Sequence, residues 1–153
     1  MARARFPPHK STSAHHENSL CALCALLTPA RAQTTLDAVN HHAWSANTGW
    51  INWRADGAAP AGAVTVDSFL HGLIWSANCG WINLGDGTPA NGWHYANTTG
   101  ADSGVNLNTD GTLTGLAWGA NIGWIVFEQT SGHPRLDYLT GEFRGSAWSA
   151  NSG

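Results

Sequence analysis

One eleven-residue motif recurs along this chain, and it limits the possible folds more than any other feature. The first copy (43–53) reads Ala43-Trp44-Ser45-Ala46-Asn47-Thr48-Gly49-Trp50-Ile51-Asn52-Trp53. It returns at 74–84 with Trp75 and Trp81, and at 117–127 with Trp118 and Trp124. A partial copy at 147–153 begins with Ala147-Trp148 and ends at Asn151-Ser152-Gly153. Self-similarity at this spacing marks arrays of one supersecondary unit, each unit covering its hydrophobic face with the next.

The chemistry inside one copy predicts strand, tight loop, strand. Trp, Ile and Phe fit a pleated, half-buried surface. Asn tolerates turn conformations through its own side-chain hydrogen bond, and Gly supplies the positive φ at the end of a short hairpin loop. A five-residue loop places Trp44 opposite Trp50, Trp75 opposite Trp81 and Trp118 opposite Trp124. A three-residue loop is expected to move the pairing by one on each strand. Ser45, Ser76 and Ser149 recur inside the motif and serve the loop.

A second hairpin is expected upstream of later copies: Val64-Thr65-Val66 with Leu70–Ile74, Val105–Leu107 with Leu113–Ala117, and Arg135–Leu139 with Glu142–Gly145. Gly72, Gly115 and Gly145 precede the motif tryptophans and read as places where another segment passes close. The fold class expected is therefore all-β: repeated short antiparallel hairpins in a β-solenoid-like or incomplete propeller-like array. Tryptophan at the same place in every unit is expected to fill the core. On that reading Trp81→Ala and Trp124→Ala each cost about 3–5 kcal/mol.

The block AWSANxGWIN, with Gly85-Asp86-Gly87-Thr88-Pro89-Ala90-Asn91-Gly92 between copies, resembles repeats of uncharacterised secreted or surface proteins of bacteria. The resemblance covers the chain from about residue 40 onward and implies export, not a particular activity. A second cysteine upstream often accompanies the one at position 79 in that pattern. Here the region reads Val66-Asp67-Ser68-Phe69-Leu70, so an intrachain disulfide lacks its partner.

The first 32 residues have the layout of a secretory signal: Arg3, Arg5 and Lys10, then the apolar stretch Leu20–Leu27, then Ala30-Arg31-Ala32. The Cys21 and Cys24 pair lies inside that stretch, so it reads as leader and not as a redox or zinc half-site. Residues 33–153 then form a Trp-rich β-repeat domain. It holds three basic residues, Arg54, Arg135 and Arg144, against nine acidic ones, a formal net charge of −6. That balance argues against a nucleic-acid partner, which needs a basic patch. No apolar run is long enough for a membrane-spanning helix.

No constellation of nucleophile, acid and base emerges, so an enzyme is not expected. His41, His42, His71, His94 and His133 show no zinc-ligand spacing, and Asp56-Gly57, Asp86-Gly87 and Asp110-Gly111 read as turns, not calcium loops. Neither a metal nor another cofactor is expected. The function expected is structural or adhesive, at the cell surface or outside the cell. The alternative is a lectin-like module, with Trp93 and Tyr95 of the 85–104 insertion as glycan-stacking candidates. Rings left exposed and coplanar on one face would favour it.

Two routes to self-association follow from the sequence. Cys79 occupies the variable loop position, where access is expected and an unpaired thiol can link two chains. The partial copy at 147–153 lacks its return strand. This is expected either of a fragment of a longer frame or of an open edge completed by a neighbouring subunit.

The leader makes a direct prediction. Mass spectrometry of exported material should find a new N-terminus at Gln33, and residues 1–32 retained on exported protein would exclude the signal.

Overall fold

The structure is a computed structural model that describes residues 34–55 and 62–153. The leader with Cys21 and Cys24, and the Asp56-Gly57 pair, lie outside the described residues. Among the described residues the strands are β1 (His42–Ser45), β2 (Gly49–Asn52), β3 (Gly62–Thr65), β4 (Phe69–Ser76), β5 (Gly80–Asn83), β6 (Val105–Leu107), β7 (Leu113–Gly119), β8 (Gly123–Phe127), β9 (Arg135–Asp137), β10 (Glu142–Arg144) and β11 (Trp148–Ser149). All pair antiparallel, so the chain is all-β over these residues. No helix among them is long and apolar enough to cross a membrane.

Each full motif copy is one hairpin. Trp44 faces Trp50, Trp75 faces Trp81 and Trp118 faces Trp124. The strands run one pair further than the five-residue loop allowed, to Ser45↔Gly49, Ser76↔Gly80 and Gly119↔Gly123, with no change in that facing. Three residues remain in each loop. In the first loop the Ser45 hydroxyl accepts from the amides of Asn47 and Thr48 at 3.3 and 3.2 Å. Gly49 then turns the chain at φ +74°, the left-handed position that three-residue hairpin loops require.

Neighbouring hairpins meet edge to edge, giving the sheet order β1-β2-β4-β5-β7-β8-β11. The return strand of one hairpin lies against the first strand of the next: Ile51↔Ser76, Ile82↔Gly119, Ile125↔Ser149. The upstream hairpins add β3 to β4, and β6 to both β4 and β7. β9 and β10 form a separate two-stranded sheet. Gly72 sits against the carbonyl of Gly62, and Gly115 against that of Gly104, with no room for a Cβ at either. This is the close approach their positions imply.

Pairing and alternation assign the two faces of the motif sheet. Residues directly opposite share a face, and so do residues two apart. Asn52 lies opposite Trp75, Asn83 opposite Trp118 and Val126 opposite Trp148. All seven motif tryptophans therefore stand on one face. The other face carries Ile74, Cys79, Ile82, Leu84, Ala117 and Phe127, which pack with Leu70, Val105, Leu107 and Leu113 into the core.

This overturns the expectation that the motif tryptophans fill the core. Trp44, Trp50, Trp75, Trp81, Trp118, Trp124 and Trp148 are between 37 and 63% exposed. The physical reason lies in what covers the sheet. A period of two puts Trp and Ile on opposite faces, and the covered face is the aliphatic one. There Leu70, Val105 and Leu113, from the upstream hairpins, fill the space.

The stability ranking follows. Ile82→Ala should cost about 2–5 kcal/mol, as a buried aliphatic truncation does. Trp44→Ala should cost only about 1 kcal/mol, the size of an exposed cross-strand aromatic pair. The half-exposed Trp81 and Trp124 should fall below the 3–5 kcal/mol of a core aromatic. Denaturant melts of the four variants give the order, and a loss at Trp44 equal to that at Ile82 would contradict it.

Candidate functional site

The outer face of the motif sheet carries seven exposed tryptophans. Three Trp pairs cross it, with ring centroids 5.1, 4.9 and 4.7 Å apart and planes at 68, 62 and 68°. This edge-to-face geometry satisfies the ring quadrupole and orients each pair without enclosing it. His42 adds an edge contact to Trp50 at 6.1 Å. Trp148 begins a fourth site on the same face. Large exposed apolar patches are rare on soluble monomers and mark contact surfaces. The rings within a pair are tilted, so no pair forms a flat two-ring platform.

The hairpin loops carry a second regularity, and reading the motif residue by residue missed it. Each loop asparagine reaches across to a neighbouring loop. Asn78 Nδ2 donates to the carbonyl of Thr48 at 3.0 Å, Asn121 to that of Cys79 at 3.2 Å and Asn151 to that of Ile122 at 3.0 Å. The signal was present in the sequence. Asn is the same in all four copies while the next position is Thr48, Cys79, Ile122 or Ser152. A carbonyl is what any residue can offer, and only its partner side chain has to be fixed.

The structure corrects the expectation of an accessible Cys79. Its side chain is 1% exposed and belongs to the core cluster. A disulfide between two chains through Cys79 would require the hairpin to open.

The insertion separates its two aromatic candidates. Trp93 is exposed and tilts against His94, at 5.7 Å between centroids. Tyr95 is 3% exposed and faces inward, so it cannot stack on an outside ligand. Its ring meets Phe69 edge-on at 5.4 Å, and its hydroxyl accepts from the Gly87 amide at 2.8 Å. Its backbone N–H and C=O are both held by the side chain of the buried Asn106, at 2.8 and 2.9 Å. Tyr95 thus anchors the inserted loop to β6.

The aspartates of the two Asp-Gly turns have local partners. Asp86 accepts from the amide and hydroxyl of Thr88, and Asp110 does the same for Thr112, as turn residues do. Those bonds hold both carboxyls below their ordinary range. Burial lowers His71, opposed by the charge of Asp86. His94 Nε2 lies 3.3 Å from the carbonyl of Leu107. Among the described residues no three His, Cys, Asp or Glu side chains gather where a metal ion could be held.

Burial pushes the Tyr95 phenol up to about 12, with the Gly87 amide pulling the other way. The fold therefore favours the neutral phenol. The stability this contributes is fully present below the ordinary phenol pKa of 10.0 and is lost as pH rises through about 12. Unfolding midpoints measured across that window should fall for the native chain. Tyr95→Phe, less stable at neutral pH, should lack that fall. An equal alkaline slope in both would remove Tyr95 as its cause.

No protein-family model, curated protein or solved structure matches the chain.

Proposed function

We propose that this chain is a non-catalytic adhesive β-repeat protein of the cell surface or extracellular space, and that its tryptophan face is the contact surface. One observation carries the reading: seven tryptophans, the same motif positions in every copy, stand exposed on one side of one sheet. Aromatic residues are enriched in contact surfaces because they offer large, stiff, partly polar area at low entropic cost. The three hairpin junctions share one register, which supports reading the hairpins as units of a stacked array. The leader layout and the resemblance to exported bacterial repeats support the location.

A lectin-like role is the second reading, favoured by the outward facing of the rings and by the exposure of Trp93. Each tilted pair would give a sugar one ring face, with its partner ring at the edge.

Retention of the mature chain on immobilised cell-wall polysaccharide, on protein-coated surfaces and on alkyl surfaces tests the proposal. The paired change Trp75→Ala with Trp81→Ala should weaken retention about tenfold or more, as loss of aromatic contact residues does. Unchanged retention would discard the Trp face as the contact surface. Competition by soluble glycans, with sensitivity to Trp93→Ala, would move the assignment to the lectin-like role.

A further inference from the structure

The loop contacts include one more member, and it closes a circuit. Asn47 Nδ2 donates to the carbonyl of Ser152 at 2.7 Å, across 105 residues of chain. The other three contacts pass from each loop to the one before it: Asn78 to Thr48, Asn121 to Cys79 and Asn151 to Ile122. Asn47 makes the same contact from the first loop to the fourth. The glycines repeat the order. A Cβ at Gly49 would meet the Asn78 amide at 3.4 Å, one at Gly80 that of Asn121 at 3.1 Å, and one at Gly123 that of Asn151 at 3.3 Å. At Gly153 it would meet that of Asn47 at 2.9 Å. A flat sheet cannot bring these loops together. In the sheet order β1 and β11 stand six strand spacings apart, about 29 Å if all strands lay in one plane. The four loops therefore surround an axis, and the motif sheet curves around it with its aliphatic face inside. Trp53, just past β2, meets Phe143 of β10 at 5.2 Å, a second contact between the first hairpin and a late part of the chain.

The curvature sets what the tryptophans can touch. With four loops in one circuit, the pairs Trp44 with Trp50, Trp75 with Trp81 and Trp118 with Trp124 point outward about a quarter-turn apart. No flat partner reaches them all. A folded protein in a standard interface covers about 800 Å² of its partner, whereas one Trp pair offers at most about 500 Å². Each pair is thus sized for a narrow ligand. The polar groups beside the rings state its chemistry. None of the seven motif strands contains Asp, Glu, Lys or Arg. An ionic ligand would lose water there without gaining a counter-charge. Asn52 lies opposite Trp75 and Asn83 opposite Trp118. Asn52 Oδ1 accepts from the amides of Arg54 and Ala55, and Asn83 Oδ1 from that of Gly85. The Nδ2 groups of both remain as donors for a ligand oxygen.

Resting on the adhesive reading of the Trp face, we propose that each Trp pair is a separate contact site for a neutral β-glucan-type polysaccharide, and that the chain cross-links such polymers. A sugar ring with equatorial hydroxyls presents C–H groups on its faces and oxygens at its rim. One tryptophan of a pair takes the C–H face, the other meets the sugar at its edge, and the neighbouring asparagine donates to a hydroxyl. A single pair holds one sugar segment weakly. Pairs that face different ways capture different polymer chains, and several engaged together give the avidity that adhesion needs. Trp93 of the inserted loop takes no part.

The experiment adds the mature chain to hydroxyethyl cellulose, to its anionic carboxymethyl counterpart, and to cellohexaose. Light scattering of the neutral polymer should rise as the protein is added and fall again at excess protein, as bridging gives way to saturation. Calorimetry with cellohexaose should find more than one site per chain. Binding to the carboxymethyl polymer should be weaker by about tenfold or more. Trp75→Ala with Trp81→Ala should remove one hexaose site and leave the others, which also shows that the fold is kept. Removing Trp118 and Trp124 as well should abolish the scattering while hexaose binding persists at the first pair. One hexaose per native chain, or no rise in scattering, would overturn cross-linking. Equal binding of the neutral and anionic polymers would overturn the ligand class. Trp-dependent retention on protein-coated or alkyl surfaces with no binding of either polymer would overturn this proposal and leave the adhesive face standing. Retention that ignores the tryptophans on every surface would remove the adhesive reading itself.

Discussion

A carbonyl in each hairpin loop is held by an asparagine from a neighbouring hairpin, and the sheet depends on that contact. Neighbouring motif hairpins share only two directly paired residues at each junction, a short ladder for fixing a register. The asparagine amide adds a directed bond at the loop end, where the ladder has finished. It also explains the rest of the loop. The variable residue presents its carbonyl to that amide, and in the first two loops its side chain, Thr48 or Cys79, is buried. The glycine after it must be left-handed, and at Gly80 an added Cβ would meet the Asn121 amide at 3.1 Å. In three of the four copies a serine hydroxyl accepts from the amides of the turn, and Gly119 stands there in the third. Side chain and backbone thus specify one another over five residues.

With the hairpins fixed in this way, the alternation of the strands sorts the motif into two surfaces. Ile74, Ile82 and Ala117 go inward, and tryptophans go outward. The outward rings still contribute to folding, because six of the seven stack edge-to-face in cross-strand pairs. Yet the fold does not consume them. Most of the core is aliphatic, so the aromatic face remains available for contact with something else. The same pairs that steady the hairpins therefore form the surface proposed for adhesion.

The inserted segment between the second and third copies follows a different logic. It has no ladder of its own, so polar side chains hold it. Asn106 takes both backbone groups of Tyr95, and the Tyr95 ring crowds Gly85 and Gly104, neither of which could carry a side chain there. The loop that looks least ordered by composition is pinned by one buried tyrosine. Trp93, two residues earlier, is left outside.

By itself the sequence determined the all-β class, the hairpins, the facing of each Trp pair and the close approach at Gly72 and Gly115. These depend on alternation, turn chemistry and the absence of a Cβ, which neighbouring residues decide among themselves. Only the tertiary structure decided which face is covered, that Cys79 and Tyr95 point inward, and that the loop asparagines tie one hairpin to another. Both faces of each strand carry apolar side chains, so local pattern cannot rank them. The choice is made by Leu70, Val105 and Leu113, which reach the aliphatic face through pairings with distant segments. The link between Asn47 and Ser152 depends on the accumulated geometry of three hairpin junctions, a property that no single copy of the motif contains.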